Sequence, residues 1–186
     1  MPLLKEDRYT IDDIYRLTDG QRAELIDGQI YFMAPPSRIH QRIVLSLSRR
    51  IADYIDTKEG SCEVNIAPFA VFLFEDNRNY IEPDISVVCD PDKLDHVGCH
   101  GVPDWIIEVV SPGSKAMDYY TKLSLYRSAG VREYWIVDPQ RCIVLTYDIE
   151  HEEGPVIHSF DDEIPVMIYP GFSINFSNIR KGANLV

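Results

Sequence analysis

The period of apolar and polar positions changes several times along this chain, and each change marks an element. Thr10-Ile-Asp-Asp13 reads as a capped helix start, with Thr10 as N-cap and Asp13 near the positive helix end; this helix runs to about Leu17. Leu25-Ile26 and Gln29-Ile-Tyr-Phe-Met33 flank Asp27-Gly28, a dipeptide that tolerates positive φ at both positions, which predicts a β-hairpin. Pro35-Pro36 breaks the chain and Ser37 can cap a second helix. Ile43, Leu47, Ile51 and Tyr54 then recur at helical spacing, predicting that this helix runs to about Ile55.

Residues 64–74 and 81–88 are strand-like. Residues 105–110 form an apolar run interrupted by one acid, as expected of a central strand. Ser111-Pro-Gly-Ser114 is a turn, and the helix after it runs to about Ala129, with Gly130 as a left-handed stop. Residues 133–137 and 142–147 predict two more strands. From Glu152 onward short strand signals are separated by Pro155, Pro165 and Pro170-Gly171. The sum is a mixed central sheet flanked by helices, an α/β or α+β core. No repeat, low-complexity segment or Gly/Ser-rich linker divides the chain, so one domain is expected over residues 1–186.

With 186 residues, 45% of them hydrophobic and 26% charged, the chain is long enough for a real core and ordinary for a soluble globular protein. The longest apolar run, residues 66–74, is interrupted by Pro68 and falls short of a bilayer span. The first eight residues lack a basic region followed by an apolar core, which argues against a signal peptide and for a cytoplasmic protein. Cys62, Cys89, Cys99 and Cys142 form no Cys-x-x-Cys pair and are read as reduced structural thiols. The net charge of −12 opposes strong non-specific DNA binding, unless basic residues cluster and a metal neutralises the site.

Two acids stand in apolar company: Asp84 in Pro83-Asp84-Ile85-Ser86-Val87, and Glu108 between Ile107 and Val109. A lone carboxylate in a buried strand is costly unless compensated, and a divalent cation compensates two at once. The alternative is that each pairs with Arg or Lys or lies at an exposed strand end. In the helix after Glu108, Tyr119, Leu123 and Tyr126 share one face, and Lys122 falls at its border. A lysine there can lay its stem along the core and aim its ammonium at the sheet end; equally, it can be an i,i+4 partner for Asp118.

Asp84, Glu108 and Lys122 together resemble the PD-(D/E)XK nuclease superfamily. Pro83-Asp84 matches its first motif and Glu108-Val109-Val110 its second, with Val110 where a lysine is usual and Lys122 as a substitute on the neighbouring helix. The match is closer to one branch, the Uma-two family of restriction-endonuclease-like proteins. Its pattern reads here as Glu24-Leu-Ile-Asp-Gly28, His40 opening a helix, Pro83-Asp84, Glu108-Val-Val-Ser-Pro112, Asp118 with Lys122, and Gly130-Val-Arg-Glu-Tyr-Trp-Ile-Val-Asp-Pro139. The resemblance implies a restriction-endonuclease-like fold and a Mg²⁺- or Mn²⁺-dependent hydrolysis of DNA phosphodiesters. Asp84, Glu108 and the Val109 carbonyl would hold the metal, Lys122 would orient or help deprotonate the attacking water, and Glu24 would complete the site or merely start a strand. His40 is either a base standing behind the metal ligands or, on a slightly stronger reading, an ordinary polar helix residue. The superfamily also implies a homodimer, since two strands suit two active sites.

Other signals carry less. Ser111–Ser114 can bind phosphate through backbone amides, but a cap and turn is the plainer reading. His96, Cys99 and His100 lack a fourth zinc ligand and read as part of a polar loop, as do Asp90, Asp92 and Asp95. Arg42, Arg49 and Arg50 form a phosphate-facing stripe or ordinary surface charge. Two rivals to a DNA nuclease remain: a catalytically inert member of the fold acting as a binding or regulatory partner, and a metal hydrolase of smaller phosphate esters.

Overall fold

The structure is a computed structural model and describes residues 8–177. Most of the amino-terminal segment considered as a signal sequence, and both ends of the domain drawn over residues 1–186, lie outside the described residues.

Helix α1 (Ile11–Tyr15) starts where Asp13 Oδ2 accepts the Thr10 amide at 2.8 Å. Strands β1 (Ala23–Ile26) and β2 (Gln29–Phe32) form the expected hairpin, with φ of 51° at Asp27 and 79° at Gly28. Helix α2 (Arg38–Thr57) comes next, its first turn capped by Ser37, whose hydroxyl accepts the His40 amide. The predicted strand at 64–74 is two strands, β3 (Glu63–Ile66) and β4 (Ala70–Phe72), because the chain turns at Pro68 and the halves join different sheets. Then come β5 (Ile85–Val88), β6 (Gly98–His100) and β7 (Trp105–Val109). The β7 strand leads to a π-helical stretch (Met117–Lys122) that runs into α3 (Leu123–Ala129) and stops at Gly130 with φ of 88°. The remaining strands are β8 (Glu133–Asp138), β9 (Ile143–Asp148), β10 (Val156–Ser159), β11 (Glu163–Pro165) and β12 (Ser173–Asn175).

Six strands make the central mixed sheet in the order β10-β9-β8-β7-β5-β3. Only the β7·β8 pair is parallel; the other neighbours in this sheet are antiparallel. A parallel neighbour needs a crossover, and the helix through α3 supplies it. Alternate residues of each strand face opposite layers. Trp105, Ile107, Val109, Trp135 and Val137 pack with Ile43, Leu47 and Ile51 of α2 and with the β11–β12 segment. Ile106, Tyr134 and Ile136 pack with Leu125 and Tyr126 of α3 on the other face. The result is an α+β fold, and Glu108 belongs by alternation to the α3 side.

Two expectations are corrected. Cys62 and Cys89 are joined in a disulfide, not reduced, because β3 and β5 are antiparallel neighbours and the register Glu63↔Val88 sets the two cysteines opposite each other. The segment around residues 90–100 is more than a polar loop. It holds a 3-10 turn (Pro91–Lys93) and β6, which pairs in parallel with β4 and buries Cys99. His100 instead faces Asp95 at 3.2 Å.

Candidate active site

The register Ile85↔Ile107 continues by one step to set Asp84 directly opposite Glu108, at the end of two adjacent strands. Two like charges facing each other are unfavourable unless other groups intervene. Asp84 Oδ2 accepts the Val109 amide at 2.7 Å and lies 3.0 Å from His40 Nε2, brought over the sheet end by the first turn of α2. Glu108 Oε1 accepts from Lys122 Nζ at 2.7 Å and from the Tyr126 hydroxyl at 2.7 Å. Lys122 Nζ also donates to Glu24 Oε1 at 2.9 Å, and that same oxygen accepts the Glu82 amide at 3.0 Å. Glu82 in turn pairs with Arg22 and accepts the Tyr80 hydroxyl at 2.8 Å.

Glu24, Glu108, Lys122 and Asp118 are all buried. The π-helical stretch explains how one helix buries two charged residues. Its wider turn brings Asp118, Lys122 and Tyr126, each four apart, onto one line facing the sheet, whereas uniform 100° steps leave Lys122 at the border of the apolar face. Asp118 Oδ2 accepts the Ser114 hydroxyl at 2.6 Å, and the Ser114 oxygen accepts the Ser111 amide at 3.0 Å. The Ser111–Ser114 turn thus serves as a cap and a brace for Asp118.

The electrostatics arise from four acids around one ammonium. Burial drives the Glu108 carboxyl well above its ordinary pKa, Lys122 pulls it back, and Asp84, Asp118 and Glu24 push it up again. Asp118 is pushed up to about 6, first by burial, against the pull of Lys122 and Ser114. Burial also works against the Lys122 charge, but Glu108, Glu24 and Asp118 outweigh it and hold the lysine well above its ordinary value. Lys122 is therefore a cation at neutral pH.

The cluster sets the carboxyl groups of Glu24, Asp84, Glu108 and Asp118 against the Lys122 ammonium and the His40 ring where water is scarce. Among the described residues Asp84 Oδ1 receives no hydrogen bond, and Glu108 Oε2 receives only one, at 3.5 Å, from the Asp84 amide. The residues present fit a hard divalent cation as a two-carboxylate platform. Among the described residues no three His, Cys, Asp or Glu side chains converge as a ready ligand set. Magnesium is commonly held by one or two carboxylates, with waters and substrate phosphate completing the shell.

The Uma2 family model, described as "Putative restriction endonuclease", matches residues 11–177. The chain belongs to that family. Among relatives, it is 33% identical over 106 residues to "Uncharacterized protein slr1290" of Synechocystis sp., a match covering 57% of this chain and 54% of that protein. The chain thus spans about half the length of this relative. It is 27% identical over 134 residues to "Uncharacterized protein sll1609" of the same organism, covering 70% and 71% of the two chains. A crystal structure of a putative nuclease belonging to DUF820 from Anabaena variabilis superposes with a TM-score of 0.75 at 19% identity, over 92% of this chain and 97% of that one. At that identity the likeness speaks for the nuclease-like fold.

Of the residues singled out in the sequence, Asp84, Glu108, Lys122 and Glu24 meet in one cluster. His40, read more readily as an ordinary helix residue, meets them too. Tyr126 and Glu82 were not anticipated. Tyr126 lies four residues beyond Lys122, the spacing that would have pointed to it. Lys122 engages Glu108 and Glu24 rather than forming the surface pair with Asp118. Of the arginines on α2, Arg42 is exposed, Arg49 pairs with Asp53 at 3.6 Å, and Arg50 donates to the Asn175 carbonyl. Among the described residues no helix is long and apolar enough to cross a membrane.

Proposed function

We propose that this member of the Uma2 family is a divalent-metal-dependent endonuclease that hydrolyses DNA phosphodiester bonds. The observation that carries this reading is the ammonium of Lys122 on Glu108 Oε1, with Asp84 directly across the strand pair. Asp84 and Glu108, with the Val109 carbonyl as a further oxygen, would hold Mg²⁺ or Mn²⁺. A cation at that platform supplies Lewis acidity toward a phosphate oxygen and acidifies water. Lys122 stays protonated, so it donates: it orients the attacking water and offsets the charge that grows on the phosphorus oxygens. Its raised pKa speaks against a role as general base. His40 and the Val109 amide fix the Asp84 carboxylate, and Glu24 holds Lys122 from the far side. Cutting both strands of a duplex calls for two such sites, hence a homodimer, and the expected setting is the cytoplasm.

Lys122 also turns the choice away from an inert binding protein, because a buried ammonium spanning two acids is costly to keep without a use. The test is cleavage of plasmid and single-stranded DNA with Mn²⁺, wild type against Asp84→Asn prepared identically. Cleavage abolished in the variant supports the reading. Metal binding by titration without cleavage of either DNA, or equal cleavage by both proteins, overturns it; turnover of small phosphate esters alone moves the substrate class.

A further inference from the structure

Beside the acidic cluster the surface changes sign. Asp138 ends β8 and follows Val137, which pairs with Val109, so it lies one strand over from Glu108 and two residues beyond Ile136, about 8 Å away at the same sheet end. Two cations gather around it, and a third stands further along the same face of the sheet. Lys115 Nζ stands 3.7 Å from Asp138 Oδ2 and 5.9 Å from the Tyr119 ring centre. Arg141 Nε stands 3.9 Å from the same oxygen. Arg127 lies over the ring of Tyr147 at 5.5 Å; Tyr147 pairs with Tyr134, four residues down β8 from Asp138, and Tyr120 also flanks it.

Asp138 is itself buried and satisfied, accepting the Tyr119 hydroxyl at 3.2 Å and the Gln140 and Arg141 amides at 3.1 and 3.2 Å. It does not need both cations. Their charges project outward: the Lys115 and Arg141 side chains are 41% and 58% exposed, and Arg127 is exposed. Tyr120 is 76% exposed, the most exposed large apolar side chain among the described residues. In a chain of net charge −12, two cations on one buried carboxylate, with Arg127 and exposed tyrosine further along the same face, form a local exception. Its charge complements a phosphodiester backbone, and an exposed ring offers a face for a sugar or base.

We propose that Lys115, Arg127 and Arg141, with Tyr120, form the surface that holds the nucleic-acid strand running past the Asp84–Glu108 site. This inference rests on the nuclease reading for its location but not for its test. The cations neutralise phosphates beyond the cleaved one, and the strand is thereby drawn over an otherwise repellent acidic centre.

The experiment measures binding apart from cleavage. Anisotropy of a labelled DNA duplex is followed in EDTA between about 50 and 200 mM salt, for the wild type and for Lys115→Ala/Arg127→Ala/Arg141→Ala. Each lost phosphate contact lowers the slope of log K against log salt by about 0.9, so the triple variant is expected to lose up to about 2.7 in slope, with at least about tenfold weaker binding at low salt. Arg127→Ala alone, whose contact is with a ring, is expected to lose about 0.9 and guards against misfolding of the triple variant. Lys115→Arg/Arg127→Lys/Arg141→Lys is expected to retain the wild-type slope. Unchanged slope and affinity in both alanine variants, or a wild type that fails to hold the duplex at low salt, overturns the proposal. So does loss of a sedimenting dimer with DNA binding intact, which would assign the patch to a second copy of this chain. Asp84-dependent cleavage that survives unchanged in the triple variant refutes the patch and leaves the nuclease reading standing. Patch-dependent binding without Asp84-dependent cleavage does the reverse.

Discussion

Replacing Lys122 by Met keeps the length of the side chain and removes its charge. The Lys122 side chain is 4% exposed and its ammonium donates to Glu108 at 2.7 Å and Glu24 at 2.9 Å, so the variant strands two buried carboxylates at once. Removing one member of a buried charge pair costs about 3–5 kcal/mol, because the partner is left uncompensated. That cost depends on pH. Burial already pushes Glu108 up, and without the pull of Lys122 its carboxyl rises further. A group whose folded pKa lies above its unfolded value contributes stability fully below the unfolded value and loses it as pH rises through the folded one. The Lys122→Met deficit is therefore smallest near the ordinary carboxylate range and largest above neutrality. Urea denaturation of both proteins at about pH 5 and about pH 8 reads the difference, which should grow by at least about 1.4 kcal/mol, the worth of one pKa unit. A deficit equal at both pH values, or none at all, would refute the claim that Lys122 is the counter-charge of this site. In cleavage assays the same variant should lose about 10²–10³ in rate, the usual cost of one donor aimed at developing charge.

Three further outcomes are expected from the packing. Glu133 accepts the Met167 and Ile168 amides and the Trp135 indole, so Glu133→Gln turns one acceptor into a donor facing a donor; about 1–3 kcal/mol should be lost in denaturant titration, and an unchanged midpoint would contradict the assignment. The Glu133 carboxyl is pushed up to about 7 by burial, so the stability it contributes should fall as pH rises through that value, which carbon-detected NMR titration of the carboxyl can follow. Reduction of the Cys62–Cys89 bridge, which spans 27 residues, should cost about 3–4 kcal/mol by chain entropy; four reactive thiols in the protein denatured without reductant would show that no such bridge forms.

Much of the fold was legible because its cues are local. Asp27-Gly28, Ser37 with the α2 stripe, and Gly130 each act within a turn or two, and the structure places hairpin, helix and helix stop accordingly. The features that escaped were non-local. Strand β6 is three residues long and exists because β4 lies beside it. The disulfide depends on a strand register that spacing in the chain does not reveal. Among the candidate site residues, Asp84 and Glu108 betrayed themselves as acids in apolar strands. His40 did not, since its helix face is otherwise ordinary core and only the crossing of α2 over the sheet end brings it to Asp84. The depth of Lys122 was hidden by a π-helical turn that uniform helical stepping does not anticipate.

The ammonium of Lys122 has a consequence for the order of events in the life of the protein. Many small metalloproteins stay unfolded until their ion arrives, because nothing else can neutralise the ligands. Here the chain carries its own resident counter-ion, tethered to the crossover helix between β7 and β8, so the acidic cluster can close during folding with no ion in place. Stripping metal with a chelator should therefore leave the melting temperature nearly unmoved while silencing any metal-dependent chemistry, and readdition should restore that chemistry without refolding.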